Sequence, residues 1–251
     1  MTILREKNFV STAELAQLLH VSIETIRRDF DQMEGRGLLK KTYGGAEMKE
    51  TPMGTMPPVE MRFAENTDAK TAIAALAVQQ IKDGQTVACD SGSSLLHTAA
   101  FLNQHSNMIY LCSDIHLVRE LITVESNRVF MLGGFITPFG SSMGSYAKEF
   151  LSSITDIDVY LLSADGAASI EGLSMDIEEI NLLKKRLLRK AKTKIALIDH
   201  SKFRKRGFYK LCDFDELDLL VTDSLTPKDI VERIKRSGVP VLVADVPQQT
   251  S

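Results

Sequence analysis

From about Thr67 to its end, this chain of 251 residues alternates helical stretches with short β-branched or aliphatic runs. Seven of these runs predict short strands: QTVACDSG, MIYLCSD, RVFMLGG, DVYLLSADG, KIALIDHS, LDLLVTD and VPVLVAD. Repeated strand and helix is the pattern of α/β proteins, in which helices cover a mostly parallel sheet. The alternation therefore predicts an α/β domain with a largely parallel sheet.

Several of the predicted strands end in small or polar residues. These ends are Asp90-Ser91-Gly92, Ser113-Asp114, Gly133-Gly134, Ala164-Asp165-Gly166 and Asp199-His200-Ser201. In open α/β sheets, ligands bind outside the carboxyl ends of the strands. We therefore expect the five ends to converge on one ligand site.

Residues 11–35 carry the signals of two short helices in succession. Ser11 can cap the first helix, residues 11–20, and Glu14 completes a capping-box pattern. Ser22 can cap the second helix, which Gly-Arg-Gly ends near Gly35. Two helices separated by a turn of a few residues predict a helix-turn-helix.

The second predicted helix has an apolar side and a polar side. Its apolar residues are Ile23, Ile26, Phe30 and Met33. Their helical spacing predicts one buried stripe, and at about 100° per residue Arg28 falls opposite the stripe and Arg27 at its flank. Either the arginines contact DNA, or they pair with Glu24, Asp29 or Asp31 on a solvated helix. The net charge of this segment does not distinguish the two alternatives, because residues 1–45 hold seven Lys and Arg against six Asp and Glu.

A β-hairpin and a linker are predicted after this helix. The run GLLKKTYGGAEM, residues 37–48, is apolar, then basic, and contains a Gly-Gly turn, which predicts a small wing. The following TPMGTMPPVEM holds three of the chain's seven prolines and predicts a linker. The expected domains are a winged helix-turn-helix at 1–50, a linker at 51–66 and the α/β domain at 67–251.

Composition places the chain among ordinary globular proteins, with 44% hydrophobic residues, 25% charged residues and a net charge of −3. The N-terminal MTILREKN lacks an apolar export segment, and nowhere do about 18 apolar residues run together, so we expect a cytoplasmic protein without a membrane segment. Cys89, Cys112 and Cys212 are widely spaced and are expected in the core. No cysteine or histidine has metal-ligand spacing, so no metal site is predicted.

The Asp-Ser-Gly-Ser-Ser stretch, residues 90–94, lies between a predicted strand and a predicted helix. Backbone N–H groups at such a turn, together with the hydroxyls of Ser91, Ser93 and Ser94, suit a phosphate. A serine-rich helix cap without a ligand explains this stretch equally well. Both interpretations stay open on these residues alone.

The run STAELAQLLHVSIETIRRDFDQMEGRGLLKKTYGGA, residues 11–46, resembles the N-terminal domain of the DeoR family of bacterial transcriptional regulators. That family has a T-I-R-R-D-L core followed by G-L-I, a basic residue and H-G-G-A, and Lys41 and Tyr43 stand where it more often has Arg and His. The resemblance implies contacts to double-stranded operator DNA from the start of the second helix and from the wing. The implied DNA-binding residues are Ser22, Glu24, Thr25, Arg27, Arg28, Lys40, Lys41 and Tyr43.

Landmarks of the same family follow in order along the rest of the chain. Residues 90–94 match its D-S-G-T-T, residues 164–166 its A-D-G, and residues 199–203 its D-x-S-K-F. The resemblance implies a sensor domain similar in fold to ribose-5-phosphate isomerase, with a phosphorylated sugar as effector. The implied effector-binding residues are Asp90, Ser91, Gly92, Ser93, Ser94, Ser113, Asp114, Gly133, Gly134, Gly144, Asp165, Gly166, Glu179, Lys184 and Lys202.

Four of these residues have individual expected roles, and two of those roles leave alternatives open. Asp165 is expected to accept hydrogen bonds from sugar hydroxyls, and Lys202, with Lys184, to supply positive charge for the phosphate. Lys184 has a second interpretation, because LLKKRLLRKAK is also typical of an amphipathic surface helix. The family's glutamate falls at Ile180 by spacing, so Glu179 is only the nearest acid.

The sequence thus predicts a transcriptional regulator, a repressor of sugar-metabolism genes that responds to a phosphorylated sugar and needs no cofactor. Regulators that bind paired half-sites are symmetric, so a homodimer or homotetramer is expected. One rival is a sugar-phosphate isomerase with Asp90, Asp165 and Glu179 as acid and base. Against it, the chain lacks the isomerases' K-G-G-G-G stretch and carries a DNA-binding pattern. The other rival, a protein-interaction module, would use the N-terminal helices to bind a partner.

Overall fold

A computed structural model describes residues 2–7, 9–35, 39–48, 59–144, 146–168 and 172–247 of the chain. The chain divides into two compact units, Met1–Met61 and Arg62–Ser251. The first eight residues of the predicted linker, 51–58, lie outside the described residues.

The first unit is a winged helix-turn-helix. Its elements are α1 Thr2–Lys7, β1 Phe9–Ser11, α2 Thr12–Leu18, α3 Ile23–Gly35, β2 Leu39–Thr42 and β3 Gly45–Met48. The three strands form an antiparallel sheet in the order β1-β3-β2. The predicted helix-turn-helix and wing are both present, whereas α1 and β1 were not predicted. Ser11 caps α2 by accepting a 3.0 Å hydrogen bond from the backbone N–H of Glu14, as expected.

A small apolar core holds the first unit together. Its buried members are Leu4, Val10, Ala16, Ile26, Phe30, Leu39 and Ala46. Met33 packs against this core from the edge. The prediction that Ile23 is buried with them is wrong, because its side chain is 46% exposed. Ile23 is the first residue of α3, and the end of a helix reaches beyond the part that packs on the core.

The second unit is an α/β domain. Its helices are α4 Val59–Ala64, α5 Thr67–Val78, α6 Ser93–Leu96, α7 Ala99–Leu102, α8 Ile115–Leu121, α9 Tyr146–Ser153, α10 Glu178–Lys190 and α11 Lys228–Arg236, and two 3-10 helices span His200–Arg204 and Phe214–Glu216. The chain passes from the first unit to the second within α4. Its strands are β4 Thr86–Cys89, β5 Ile109–Cys112, β6 Arg128–Met131, β7 Phe135–Ile136, β8 Ser142–Met143, β9 Ile157–Leu162, β10 Gly172–Met175, β11 Ala191–Leu197, β12 Tyr209–Asp213, β13 Leu219–Asp223 and β14 Val241–Ala244.

Seven of these strands form one sheet in the order β14-β13-β11-β9-β4-β5-β6. All neighbouring strands in it are parallel, which confirms the expected α/β class. The ribbons β7-β8 and β10-β12 are antiparallel additions. They were not predicted, because strands of only two to five residues carry little periodic signal.

Helices cover both faces of the sheet. Along β4, Val87 and Cys89 lie on the sheet face that α5 to α8 cover. Ala88, between them, lies on the opposite face, which α9 and α10 cover. This alternation follows from the two-residue repeat of a strand. All three cysteines are buried and unpaired, as expected. No helix within the described residues is long and apolar enough to span a membrane.

Candidate DNA interface and effector site

The start of α3 is capped by a serine that was predicted to contact DNA. Ser22 Oγ accepts a 3.1 Å hydrogen bond from the backbone N–H of Thr25 and lies 2.8 Å from Thr25 Oγ1. Both residues are exposed. The cap fixes where α3 begins and therefore which side chains its first two turns present.

Arg27 and Arg28 lie in the next turn of α3 and differ in their surroundings. Arg27 Nη1 lies 3.7 Å from Glu24 Oε2, and the two side chains are 63% and 68% exposed. Arg28 is also exposed and has no ion pair within the described residues. The pairing that was the alternative to DNA contact therefore holds for Arg27, through a weak surface contact, and not for Arg28.

The wing places two lysines and a tyrosine at the surface. Lys40 lies 3.0 Å from Glu47, and Lys41 pairs with Asp31. Tyr43, in the turn between β2 and β3, is fully exposed. Exposed ion pairs of this kind contribute about 1 kcal/mol or less, so a DNA phosphate can displace the carboxylates.

The five predicted strand ends of the α/β unit lie side by side. They follow β11, β9, β4, β5 and β6, which are consecutive neighbours in the sheet. Parallel strands place all five ends on one edge of the sheet, and we call this edge the effector edge. Hydrogen bonds join neighbouring ends, including one of 2.9 Å from the Ala167 N–H to the Lys202 carbonyl.

A buried ion pair lies at the centre of the effector edge. Lys184, on α10, pairs with Asp90, and the two side chains are 1% and 2% exposed. Lys184 Nζ also donates a 2.8 Å hydrogen bond to the carbonyl of Ser163. Asp90 Oδ1 accepts a 2.7 Å bond from the Ser91 N–H. Burial raises the pKa of Asp90, and the positive charge of Lys184 opposes that rise.

This pair corrects one interpretation of the sequence. Lys184 does not lie on the solvated side of an amphipathic helix, because Asp90 and Ser163 hold its ammonium inside the domain. Glu179, predicted beside it in the site, lies exposed in the first turn of α10, and the neighbouring Ile180 is buried. Helical periodicity alone could not reveal a buried lysine, since its partner is 94 residues away.

The stretch 91–94, which consists of the end of the loop after β4 and the first two residues of α6 and is called the loop at 91–94 below, presents three serine hydroxyls without partners. Ser91, Ser93 and Ser94 are buried, at 8%, 6% and 4% exposure, and their hydroxyls have no hydrogen-bond partner among the described residues. Gly92 has a φ of 145°, and a Cβ there would lie 2.6 Å from Ser163 Oγ. The glycine therefore lets the loop pass close to the end of β9.

The ends of β5 and β6 hold predicted residues that are engaged in local structure. Asp114 caps α8 and accepts a 2.8 Å hydrogen bond from the His116 N–H, while burial raises its pKa. The Ser113 carbonyl accepts from the Ser142 N–H at 2.8 Å. Gly134 has a φ of 147°, and a Cβ there would lie 2.0 Å from the Met143 carbonyl. The predicted Gly133 and Gly144 lie in the same β6–β8 region.

The ends of β9 and β11 bring two aspartates close to Lys202. Asp165 is partly exposed, and its Oδ2 accepts a 2.9 Å hydrogen bond from the Asp176 N–H. Gly166 runs against residues 205 and 206, so closely that a Cβ would lie 2.4 Å from the Lys205 carbonyl. Burial lowers the pKa of Lys202, and Asp199 partly offsets the effect.

Asp199 lies in one of the five strand ends expected at the site but was given no individual role, and Lys70 was not predicted there at all. Asp199 is 1% exposed; its Oδ1 accepts from Asn66 and Ser201, and its Oδ2 is buried without a hydrogen-bond partner. Burial would raise its pKa, but the hydrogen bonds from Ser201 and the charges of Lys202 and Lys70 lower it overall. Lys70 is 2% exposed, and burial lowers its pKa to about 8. Within a helix as apolar as TAIAALAV, nothing in the sequence marks this lysine as part of a charged cluster.

A winged helix-turn-helix with an exposed arginine on α3, joined to an α/β domain with a polar sheet edge, is typical of a DNA-binding regulator with a sensor domain. The sequence models of two domain families match this chain. A DeoR-like helix-turn-helix domain matches residues 1–51, and a DeoR C-terminal sensor domain matches residues 65–224. The chain belongs to the DeoR family of transcriptional regulators.

Curated relatives resemble this chain over nearly its whole length. The transcriptional repressor GlcR of Bacillus subtilis is 30% identical over 96% of this chain and 93% of that protein. The regulator GolR of Listeria innocua is 30% identical over 97% and 95%. The glycerol-3-phosphate regulon repressor of Escherichia coli is 26% identical over 92% and 90%. Family membership identifies a regulator and not the isomerase considered from the sequence.

Solved structures resemble the chain more distantly. A probable sor operon regulator from Shigella flexneri has a TM-score of 0.41 and 12% identity, covering 68% of this chain and 89% of that chain. A ribose-5-phosphate isomerase in complex with phospho-erythronic acid has a TM-score of 0.40 and 18% identity, covering 59% and 55%.

Proposed function

We propose that this regulator is a repressor of sugar-metabolism genes and that a phosphorylated sugar controls its binding to operator DNA. Two observations on the effector edge carry the proposal: Ser91, Ser93 and Ser94 are largely buried and their hydroxyls have no partner among the described residues, and Asp199 Oδ2 is fully buried without a hydrogen-bond partner. Buried polar atoms are nearly always hydrogen-bonded, so Asp199 Oδ2 calls for a donor, and the three hydroxyls beside this edge are available to the same polar ligand.

The chemistry of these groups fits a sugar phosphate. The serine hydroxyls and the backbone N–H groups of residues 92–94 suit a phosphate, and Lys202 adds a positive charge. When they are ionised, the carboxylates of Asp165 and Asp199 accept hydrogen bonds and donate none, so they suit the hydroxyl donors of a sugar. GlcR and the glycerol-3-phosphate regulon repressor are both named repressors, which supports the direction of control, and the second name contains a phosphorylated small molecule, which supports the effector class.

The DNA contacts and the assembly are part of the proposal. Arg28 would contact a base edge, while Arg27, Lys40 and Lys41 would hold phosphates, with Ser22, Glu24, Thr25 and Tyr43 beside them. Two or four copies would bind paired half-sites, which light scattering of the free protein tests. The protein would act in the cytoplasm, since it must reach the DNA. The predicted domain limits, 1–50, 51–66 and 67–251, also stay part of the proposal.

A thermal-shift screen of pentose, hexose and triose phosphates tests the effector. At about 100 times its dissociation constant, a ligand that binds only the native state stabilises it by roughly 2.7 kcal/mol. We expect one sugar phosphate to raise the melting temperature of wild type and much less that of Lys202→Met. Lys205→Met, an exposed lysine in the same segment, is the control. If no sugar phosphate stabilises wild type more than inorganic phosphate does, the proposed effector class is wrong.

A further inference from the structure

The carboxyl end of α4 is held by side chains from elsewhere in the α/β unit. The carbonyls of a last helical turn lack partners within the helix. Here Lys70 Nζ donates to the Arg62 carbonyl, and Thr67 Oγ1 donates to the Ala64 carbonyl at 3.2 Å. His97 Nε2 lies 3.2 Å from the Phe63 carbonyl. The three carbonyls that end α4 are therefore all engaged.

His97 contacts this helix end through ring stacking and through a hydrogen bond. Its ring stacks on the ring of Phe63, with centroids 4.2 Å apart and an interplanar angle of 10°. A carbonyl can only accept, so His97 Nε2 carries the proton, and the neutral ring accepts at Nδ1 from Thr71 Oγ1, 3.1 Å away. Burial lowers the pKa of His97 and so favours this neutral form.

Asn66 forms a second connection, just after α4. It has a left-handed backbone, with a φ of 51°, and it occupies the N-cap position of α5 without capping it. Its side-chain amide instead donates a 3.1 Å hydrogen bond to Asp199 Oδ1. An asparagine side chain usually caps at this position, so its use as a bridge to Asp199 is a specific feature of this turn.

Both connections end beside residues of the proposed effector site. His97 follows Ser94 by three positions and ends the short helix α6 that begins with Ser93. Asp199 precedes Lys202 by three positions, caps the 3-10 helix that contains it, and has a free oxygen. A ligand that moves the loop at 91–94 or the segment at 199–202 must therefore strain or shift the hydrogen bonds to α4.

We propose that Asn66 and His97 are positioning residues that transmit effector binding to α4, the helix through which the chain enters the α/β unit. The inference rests on the proposed function and adds to it the route of regulation. A ligand acts in this way only if it favours one of two arrangements of the α4 end, so each variant should reduce the coupling free energy between effector and DNA.

Fluorescence anisotropy of the full-length protein on labelled DNA from upstream of its own gene tests this route. The dissociation constant is measured with and without the sugar phosphate that most stabilises wild type, and calorimetry measures sugar-phosphate binding separately. Asn66→Ala removes the bridge to Asp199, and His97→Phe keeps the stacking but removes the donor to the Phe63 carbonyl. We expect the wild-type ratio of the two constants to be about fivefold or more and to fall towards one in both variants.

Three controls separate transmission from folding and binding. Asn127→Ala removes a part-buried amide elsewhere in the unit, and His105→Phe alters an exposed histidine contact; both should keep the wild-type ratio. His97→Gln restores a donor and should recover much of the response. Equal ratios in wild type, Asn66→Ala and His97→Phe would overturn the inference, as would loss of sugar-phosphate binding in both variants. If wild type itself neither binds a sugar phosphate nor responds to one, the proposed function fails and this route with it.

Discussion

Lys184 of α10 and Asp90 of β4's loop form an ion pair with only 1% and 2% of their side chains exposed. A buried pair loses the solvation of both charges and recovers it only through mutual attraction and further hydrogen bonds. Here the Ser91 and Ser163 N–H groups and the Ser163 carbonyl supply those bonds. The pair thereby fixes the position of the loop that carries the three free hydroxyls.

Removing one member of this pair should destabilise the protein strongly. Lys184→Met leaves the Asp90 carboxylate buried without its partner, and we expect a loss of about 3–5 kcal/mol in the free energy of unfolding, measured by urea denaturation. Lys185→Met, at the next and partly exposed position, should change it by about 0.5 kcal/mol or less. Adding Asp90→Asn to Lys184→Met should restore part of the loss. Equal effects of Lys184→Met and Lys185→Met would show that the pair does not hold the domain.

The buried Lys70 should make stability depend on alkaline pH. Its pKa falls from 10.5 to about 8 in the folded protein, mainly through burial. Between these values the unfolded chain binds a proton that the folded protein does not, so the free energy of unfolding rises as pH increases from about 8 to 10.5. Below pH 8 both states are protonated and this contribution is absent.

Urea denaturation of wild type and Lys70→Met at several pH values between 8 and 10.5 checks this expectation. Other lysines and tyrosines titrate in the same range, so the difference between the two proteins is the informative quantity. Wild type should gain up to about 3 kcal/mol relative to Lys70→Met, as about 1.4 kcal/mol per unit of pKa implies. Parallel curves would mean that Lys70 keeps an ordinary pKa.

Gly92 should tolerate no side chain. Gly92→Ala places a Cβ 2.6 Å from Ser163 Oγ at a φ of 145°, so we expect a loss of stability and a several-fold weaker affinity for the sugar phosphate. Gly84→Ala is the matched control, because Gly84 also has a positive φ, of 81°, but a Cβ there meets nothing within 4 Å. Its cost should be backbone strain alone, about 1–3 kcal/mol, without an effect on the ligand. Wild-type ligand affinity in Gly92→Ala would show that the loop at 91–94 is not the phosphate site.

The two arginines of α3 should contribute differently to DNA binding. Arg28→Ala should weaken binding to the specific fragment by about 1–3 kcal/mol and reduce discrimination against unrelated DNA. Arg27→Ala should weaken binding to the specific fragment and to unrelated DNA by the same factor. It should also reduce the magnitude of the slope of log affinity against log salt concentration by about one. Arg119→Ala, an exposed arginine of the α/β unit, is the control. If Arg27→Ala lost discrimination between the two DNA fragments and Arg28→Ala kept it, the roles of base contact and phosphate contact would be reversed.

Hydrophobic periodicity and helix-capping residues predicted the architecture, because both report the local conformational preferences of the chain. Ser11 and Ser22 cap the helices that they were expected to cap, and the alternation after Thr67 became the seven-stranded sheet. The ribbon β10-β12 escaped prediction because it pairs residues far apart in sequence, such as Gly172 with Asp213, and β7-β8 escaped because each of its strands has only two residues. Ile23 fits the apolar stripe by spacing, yet the stripe's spacing says nothing about where the core ends.

The effector edge was predictable only in outline. Residues at strand ends were identifiable because parallel strands end on one edge. The partners of those residues were not, since Lys184 pairs with Asp90 across 94 positions and Asn66 with Asp199 across 133. Lys70 lies in an apolar helix where a sequence pattern shows no charge partner. Such pairings follow from packing of the whole domain and are therefore absent from any local pattern.

The most direct test of the account is the affinity of the full-length protein for DNA from upstream of its own gene, measured by fluorescence anisotropy with and without a panel of sugar phosphates. We expect binding that exceeds binding to unrelated DNA at the same salt concentration and that Arg28→Ala reduces. One sugar phosphate should change this affinity about fivefold or more, whereas inorganic phosphate should not. Equal affinity for both DNA fragments, or an affinity that no sugar phosphate changes, would contradict the account.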